Sequence, residues 1–259
     1  MTAILKPPPS TIGLEIRDLV DTLDRDEGAL ESWVKNSAKI ITHAEKIPGD
    51  ASTRRYYRIE TKDQSNIMMK MECFTEFGMK LPFLTVQNHL AMNGIDVPAV
   101  LDVDPERGII LLEDLGDVTL LRRLQEVSTP DVERGLYEQV IDSLVDLQLL
   151  ASPKVGAPEL EAFKLRFDHE KLMWETNFTI EHFYKTYLAR DFRPQDLKTL
   201  TTRFSEICQA LADQPTVFTH RDFHSRNIMA APVSKGDTRL VMIDFQDGRM
   251  GPAQYDLAS

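Results

Sequence analysis

Residues 219–227, Thr-His-Arg-Asp-Phe-His-Ser-Arg-Asn, put a carboxylate, Asp222, and an amide, Asn227, on one short segment. A second carboxylate, Asp244, follows in Val241-Met242-Ile243-Asp244-Phe245-Gln246. An aspartate held rigidly beside a hydroxyl can accept its proton, while an amide oxygen and a second carboxylate are hard donors suited to magnesium. That set serves transfer of a phosphoryl group from a metal-bound nucleotide. There the protein mainly positions reactants and stabilises spread negative charge.

The spacing suggests how the parts meet. Ile228 to Ala230 and Leu240 to Ile243 read as short strands joined by the turn-like Ser234-Lys235-Gly236-Asp237, and pairing them would bring Asn227 and Asp244 to one end of a hairpin. An Asp, a His and an Asn so close together also suit turn chemistry and capping, but the second motif at hairpin distance favours the chemical reading. His220 reads as support for the loop through hydrogen bonds rather than as a base. His224 either contacts a phosphate or the acceptor or braces the loop, and Arg226 either neutralises phosphate charge or lies solvated. The histidines lack the partner spacing of a zinc site.

Upstream, Ile12 to about Lys35 carries apolar residues at helical spacing, with Gly28 allowing a break. Strand signals follow at Lys39–Ala44, Tyr56–Thr61, Ile67–Glu72, Val100–Val103 and Gly108–Glu113, interrupted by a helix over Leu81–Asn93 that Gly94 would cap. After Asp117 the pattern turns helical. Thr129-Pro130-Asp131 is a start signal for a helix whose stripe is Val132, Leu136, Val140, Leu144 and Leu147. An aromatic segment, Asp168–Leu188, and a third helix, Gln195–Ala212 with Leu197, Leu200, Phe204, Cys208 and Leu211 on one face, complete it. Strands with one helix, then mostly helices, describe an α+β chain.

Composition narrows the classes. With 259 residues, 42% hydrophobic and 27% charged, the chain suits one large domain or two lobes. A net charge of −11, from 41 acidic and 30 basic residues, argues against nucleic-acid binding, which wants a basic surface. Two cysteines, Cys73 and Cys208, imply neither a disulfide framework nor a thiolate metal site. No targeting peptide is expected in residues 1–10, and no apolar run approaches the ~20 residues of a membrane span. A cytoplasmic protein with no membrane partner is therefore expected; no oligomeric state is encoded in these patterns.

Nucleotide contacts are sought in the strand-rich half. Lys70 in Ile67-Met68-Met69-Lys70 would pair with α/β-phosphates, the plainer reading being an exposed residue on an alternating strand. No acid lies between Leu81 and Asn93 to partner it, leaving Glu72 or Glu76 as substitutes. Pro48 to Arg55 carries a single glycine, yet Ser52 and Thr53 can donate hydroxyl hydrogen bonds to phosphate; an ordinary hairpin turn is the alternative. Leu111-Leu112-Glu113-Asp114-Leu115-Gly116 fits a hinge whose backbone, around Glu113 and Leu115, would hold an adenine base.

The pattern His-x-Asp-x-His-x-x-Asn with Ile-Asp-Phe resembles the catalytic core of the aminoglycoside-phosphotransferase branch of the kinase-like fold. Within it, Asp50-Ala51-Ser52, Arg54-Arg55-Tyr56, Pro82-Phe83-Leu84, Leu111–Gly116, Phe218–Met229, Ile243–Asp247, Gly251-Pro252 and Tyr255–Ala258 resemble the bacterial anomeric kinases for N-acetylmuramate and N-acetylglucosamine. The resemblance implies a protein-kinase-like two-lobe fold: a small antiparallel-sheet N-lobe over residues 1–115 and a mainly helical C-lobe over 116–259. It places an acceptor insertion at 159–212 and catalytic and metal loops at 218–256. It further implies ATP, magnesium, Asp222 as base, Asn227 and Asp244 as metal ligands, and phosphorylation of an amino sugar in cell-wall recycling. Two departures are visible. Met71-Glu72-Cys73-Phe74 replaces the Met-Asp-Ala-Pro-Pro usual in the group, and the chain stops at Ser259, where relatives continue with more helices, so a shortened C-lobe is implied.

Competing functions are separated by two lengths. Seven residues between Asp244 and Pro252 are too few for the ordered activation segment of a protein kinase. The insertion before the catalytic loop can instead cap a small acceptor and exclude water; Trp174 and Glu175 are its pocket candidates, while its aromatics also suit a core. The acceptor stays open among amino sugars, aminoglycosides and choline-like alcohols. A non-catalytic nucleotide-binding scaffold is the alternative from another class.

Overall fold

From Ile41 onward the β-forming runs build an antiparallel sheet in the order β1-β2-β3-β5-β4: β1 Ile41–Ile47, β2 Arg55–Thr61, β3 Ser65–Lys70, β4 Val100–Asp104 and β5 Ile109–Glu113. The computed structural model describes residues 11–24, 30, 40–48, 53–156, 160–233 and 238–259. These divide into two compact units, one of described residues through Leu81 with Pro98–Gly116, the other of Pro82–Val97 with Asp117–Ser259.

In the first unit, register places Tyr57 opposite Met68 and Met68 opposite Leu111. Against these buried side chains and Ile59 pack Ile16, Leu19, Val20 and Leu23 of α1 (Thr11–Leu23). Burying each such side chain stabilises by about 1.5–3 kcal/mol. Glu15 Oε2 accepts from the backbone N–H of Ile40 and Ile41 at 3.2 and 3.1 Å, fixing where β1 begins. The turn into β5 requires Gly108: its φ is +65°, and a Cβ there would stand 2.1 Å from the Met71 carbonyl oxygen.

The end of β5 is anchored by Asp114. Its carboxylate accepts from Arg58 Nε and Nη2 at 2.7 and 3.2 Å, Ser65 Oγ at 2.5 Å and Gly116 N at 2.9 Å. Burial opposes ionisation, but the hydrogen bonds from Arg58, Ser65 and Gly116 outweigh it and hold the carboxyl below its ordinary value.

The second unit is mainly helical. α2 (Pro82–Met92) ends at Gly94, whose φ is +79°, and sets Phe83 against Phe245 with ring centroids 5.2 Å apart. α3 (Leu120–Gln125), absent from the sequence expectation, is capped by Thr119, whose hydroxyl accepts from Arg122 N at 3.2 Å. α4 (Pro130–Leu150) starts at Pro130 as expected, but the Thr129 hydroxyl makes no capping bond. Its buried stripe is Leu136, Val140, Leu144 and Leu147, while Val132 in the first turn is 48% exposed. After α5 (Glu161–Lys164) comes α6 (His169–Phe178), capped by Asp168. It continues as a π-helix over Thr179–Tyr187, a wider winding that helical periodicity does not reveal.

The aromatics of that segment do not form the core that was one reading of them. Trp174, Phe178, Phe183, Tyr184 and Tyr187 are exposed, and Leu172 and Ile180 are buried instead. In α7 (Pro194–Ala212) only Cys208 of the expected face is buried, against Phe167 and Leu172, and Leu211 is exposed. Two strand pairs follow: β6 (Thr216–Thr219) with β9 (Arg249–Pro252), and β7 (Ile228–Pro232) with β8 (Thr238–Met242), before α8 (Gln254–Leu257). No helix of the described residues is long and apolar enough to cross a membrane.

Replacing Asp114 with Asn should destabilise the first unit by about 1–3 kcal/mol at neutral pH, since it takes from Arg58 its 2.7 Å carboxylate partner and leaves the 3.4 Å contact to Glu45. Because the folded carboxyl titrates below its unfolded value, the wild-type advantage is present above the unfolded value and lost as pH falls through the folded one. Urea unfolding of both proteins across pH 3–7 checks this, and equal stabilities at neutral pH would contradict it.

Candidate active site

The 219–227 loop is fixed by groups far from it in sequence. Asp256, buried on α8, accepts from His220 N at 2.7 Å and Arg221 N at 2.8 Å. Burial holds this carboxyl above its ordinary value, opposed by those two amide hydrogen bonds, with Asp222 adding to the rise. Arg221 itself sits at φ +82°, a left-handed conformation that costs a side-chain-bearing residue about 1–3 kcal/mol. Tyr255-Asp256 belonged to the segments that carried the family resemblance, but nothing local assigned Asp256 this anchoring role.

His220 supplies the second tie. Its buried ring bonds through Nε2 to the carbonyl oxygen of Ile243 at 3.0 Å, which makes Nε2 the donor. Burial pushes the imidazole down to about 4, against the raising effects of the Ile243 bond, Asp244 and Asp222. It therefore stays neutral and serves as loop support. Beneath it Thr219 is fully buried and donates to Arg249 O at 2.9 Å across the β6–β9 pair.

Asp222 itself is exposed at the turn. Its backbone carbonyl accepts from His224 N at 2.9 Å and from the Asn227 side-chain amide at 3.1 Å. With its nitrogen committed there, the Asn227 side chain has its oxygen as the remaining polar atom. The hairpin expected between Asn227 and Asp244 is present: Ile228 pairs with Met242, and Ile243 N donates to Asn227 O at 2.9 Å. Asn227 and the Ile243-Asp244 step thus lie side by side; the turn Ser234–Asp237 falls outside the described residues. Asp244 adopts φ +64°, and Gln246 Nε2 donates to its Oδ1 at 2.7 Å.

Further ties hold this end of the unit. Leu121 N donates to Ser225 O at 2.9 Å, Ala230 N to Val118 O at 2.8 Å and Met242 N to Asp96 O at 2.9 Å. His224 is half-buried and its Nδ1 has no partner among the described residues; Arg226 is exposed. Glu175 acts electrostatically on both Arg249 and Tyr255, and so belongs to the surroundings of Asp222, which also acts on Tyr255. Trp174 instead stands 57% exposed under Lys171, whose ammonium lies 3.9 Å from the ring.

In the first unit the nucleotide candidates are placed as follows. Lys70 is buried, with its ammonium on Arg107 O at 2.8 Å, Met71 O at 3.3 Å and the Asp24 carboxylate at 3.4 Å. Its acidic partner is therefore Asp24, at the end of α1, rather than Glu72 or Glu76. The cavity it lines with Asp21, Asp24, Cys73, Glu106 and Arg107 holds three carboxylates, an unfavourable setting for phosphate. Glu113 turns its carboxylate to Ala99 N at 3.2 Å, Leu115 is buried and Thr53 is exposed. Ser52 lies outside the described residues.

The sequence matches the phosphotransferase enzyme family over residues 43–259. The N-acetylmuramate/N-acetylglucosamine kinase of Neisseria meningitidis serogroup B is 32% identical over 210 residues, covering 81% of this chain and 58% of that protein. The kinase of the same name from Pseudomonas aeruginosa is 33% identical over 223 residues, covering 84% and 59%. The chain thus spans about three fifths of the length of these relatives. The ADP-bound aminoglycoside phosphotransferase APH(2'')-Ib shares the fold, with a TM-score of 0.58 at 16% identity over 89% of this chain and 74% of that one.

The neutral His220 gives this unit a pH signature. An unfolded imidazole titrates near 6.5 and the folded one near 4, so between these values only the unfolded state takes up the proton. Stability from this group is complete above the upper value and is lost as pH falls toward the lower, by roughly 3 kcal/mol. A His220→Gln variant keeps an amide donor for Ile243 O without titrating. Its stability measured by urea unfolding from pH 4 to 7 should fall less steeply than that of wild type; parallel curves would exclude the assignment.

Proposed function

Because the chain belongs to the phosphotransferase enzyme family, we propose that it moves the terminal phosphoryl group of ATP to the hydroxyl of a small acceptor, the anomeric hydroxyl of an amino sugar. The observation that carries this reading is the convergence at one hairpin end: Asp222, Asn227 and Asp244 joined through the Asn227 amide bond to Asp222 O and the Ile243 N bond to Asn227 O. The amino-sugar assignment draws on the relatives whose names specify N-acetylmuramate and N-acetylglucosamine.

In this reading the carboxylate of Asp222 accepts the acceptor's proton as the new O–P bond forms and the bond to the ADP oxygen breaks. Its exposure lets a substrate reach it, and its loop is held because the amides of the two preceding residues are gripped by Asp256. The donors present fit a hard divalent cation. Asn227 offers its side-chain oxygen and Asp244 the carboxylate oxygen not engaged by Gln246. Magnesium is usually held by one or two protein groups plus substrate phosphates, and Asn227 and Asp244 would be those groups. Magnesium, when bound, neutralises charge on the nucleotide phosphates.

The engagement of Lys70 with Asp24 favours one competing reading, a nucleotide-binding scaffold without turnover. An ADP-release assay over amino sugars, aminoglycosides and choline-like alcohols, with mass spectrometry of the product, separates the two.

Asp222→Asn should keep ATP binding and lose about 10²–10⁴-fold in turnover, the usual contribution of a positioned base; undiminished turnover would refute the role. Asp244→Ala should instead weaken magnesium-dependent ATP binding, measured by calorimetry with and without the cation. Equal loss in both conditions would count against a metal ligand.

A further inference from the structure

Gln246 Nε2 donates to Asp244 Oδ1 at 2.7 Å. An ionised carboxylate only accepts, so the amide must present its nitrogen there, and its oxygen is sent elsewhere. That oxygen is buried and has no hydrogen-bond partner among the described residues. A buried acceptor left unmatched destabilises a fold, so packing does not account for an amide here; a leucine would fill similar space without the orphaned atom. What the amide alone supplies is the N–H on Asp244. The bond is built from fixed parts. Gly248 N donates to Phe245 O at 3.0 Å, closing a turn in which Gln246 is the second residue. Phe245 is fully buried against Phe83, and a Cβ at Gly248 would run into the Phe218 ring, so the turn is wedged at both ends. Asp244 enters it at φ +64°. Just before it, Ile243 is tied by its carbonyl to His220 and by its N–H to Asn227.

We infer that Gln246 is a positioning residue that sets which divalent cation Asp244 accepts, favouring magnesium over calcium. The inference rests on the reading of Asp244 as a metal ligand. With Oδ1 held by an N–H, Asp244 offers a cation one free oxygen, Oδ2, in a carboxylate whose plane the bond fixes. Calcium takes more oxygens in looser arrangements and accepts both oxygens of a single carboxylate, whereas magnesium demands near-ideal octahedral geometry. A carboxylate with one oxygen engaged suits the second ion and handicaps the first. Groups that orient a metal ligand in this way commonly change metal affinity about 10–100-fold when removed.

The test titrates ATP by calorimetry into wild type, Gln246→Glu, Gln246→Leu and Asp244→Ala, each with magnesium, with calcium and with EDTA. Thermal melts confirm folding. Gln246→Glu keeps the shape of the side chain but cannot donate to Asp244 at neutral pH, and it carries the reading should Gln246→Leu melt early. Wild type should bind ATP more tightly with magnesium than with calcium. That affinity ratio should fall by roughly tenfold or more in both Gln246 variants, with binding in EDTA unchanged. An unchanged ratio, or equal losses in all three conditions, gives the amide to the turn alone and overturns the inference. A wild type indifferent to the cation also overturns it. Asp244→Ala separates the two levels. If it binds ATP as wild type does with either cation, the metal-ligand reading falls as well. If it loses cation-dependent binding while the Gln246 variants keep the wild-type ratio, only the inference falls.

Discussion

A buried carboxylate must find hydrogen-bond donors, and Asp256 finds them in the adjacent backbone amides of His220 and Arg221. Much in the second unit depends on that contact. It offsets the cost of a left-handed arginine, aims the next residue, Asp222, outward, and leaves His220 close enough to bond Ile243 O. The catalytic candidate is thus placed by a residue at the far end of the unit. Its loop is over-determined, which is the condition under which backbone strain persists at functional sites.

The metal-ligand candidates are placed by the same logic applied to a hairpin. Antiparallel pairing of β7 with β8 fixes Ile228 opposite Met242, and one further backbone bond carries the register to Asn227. Phe245, fully buried and packed on Phe83, pins the chain just beyond Asp244. Apolar burial on one side of each loop and polar exposure on the other explain why Asp222 and Asp244 face solvent while their neighbours His220, Phe223 and Phe245 do not.

In the first unit a comparable anchor, Asp114, serves the sheet rather than chemistry. It gathers Arg58, Ser65 and the Gly116 amide at the end of β5. Lys70 is likewise drawn into structure, held by two carbonyls and Asp24. Charged residues that look chemical in a strand pattern can thus be satisfied locally once α1 packs on the sheet. Spacing does not distinguish the two outcomes, because the deciding partner lies 46 residues away.

Local signals determined what is local. β-forming runs marked the five strands, Gly94 marked the end of α2, Thr129-Pro130-Asp131 marked the start of α4, and two motifs at hairpin distance pointed to the pairing that joins Asn227 to Asp244. These are legible because side-chain periodicity and turn chemistry act over a few residues. Tertiary structure alone decided that Asp256 grips the 219–227 loop, that Asp24 rather than Glu72 or Glu76 meets Lys70, and that the aromatics of residues 174–187 face outward. It alone set Arg249 opposite Thr219, through the pairing of β6 with β9. Each of these joins groups distant along the chain, and their meeting depends on how whole elements pack.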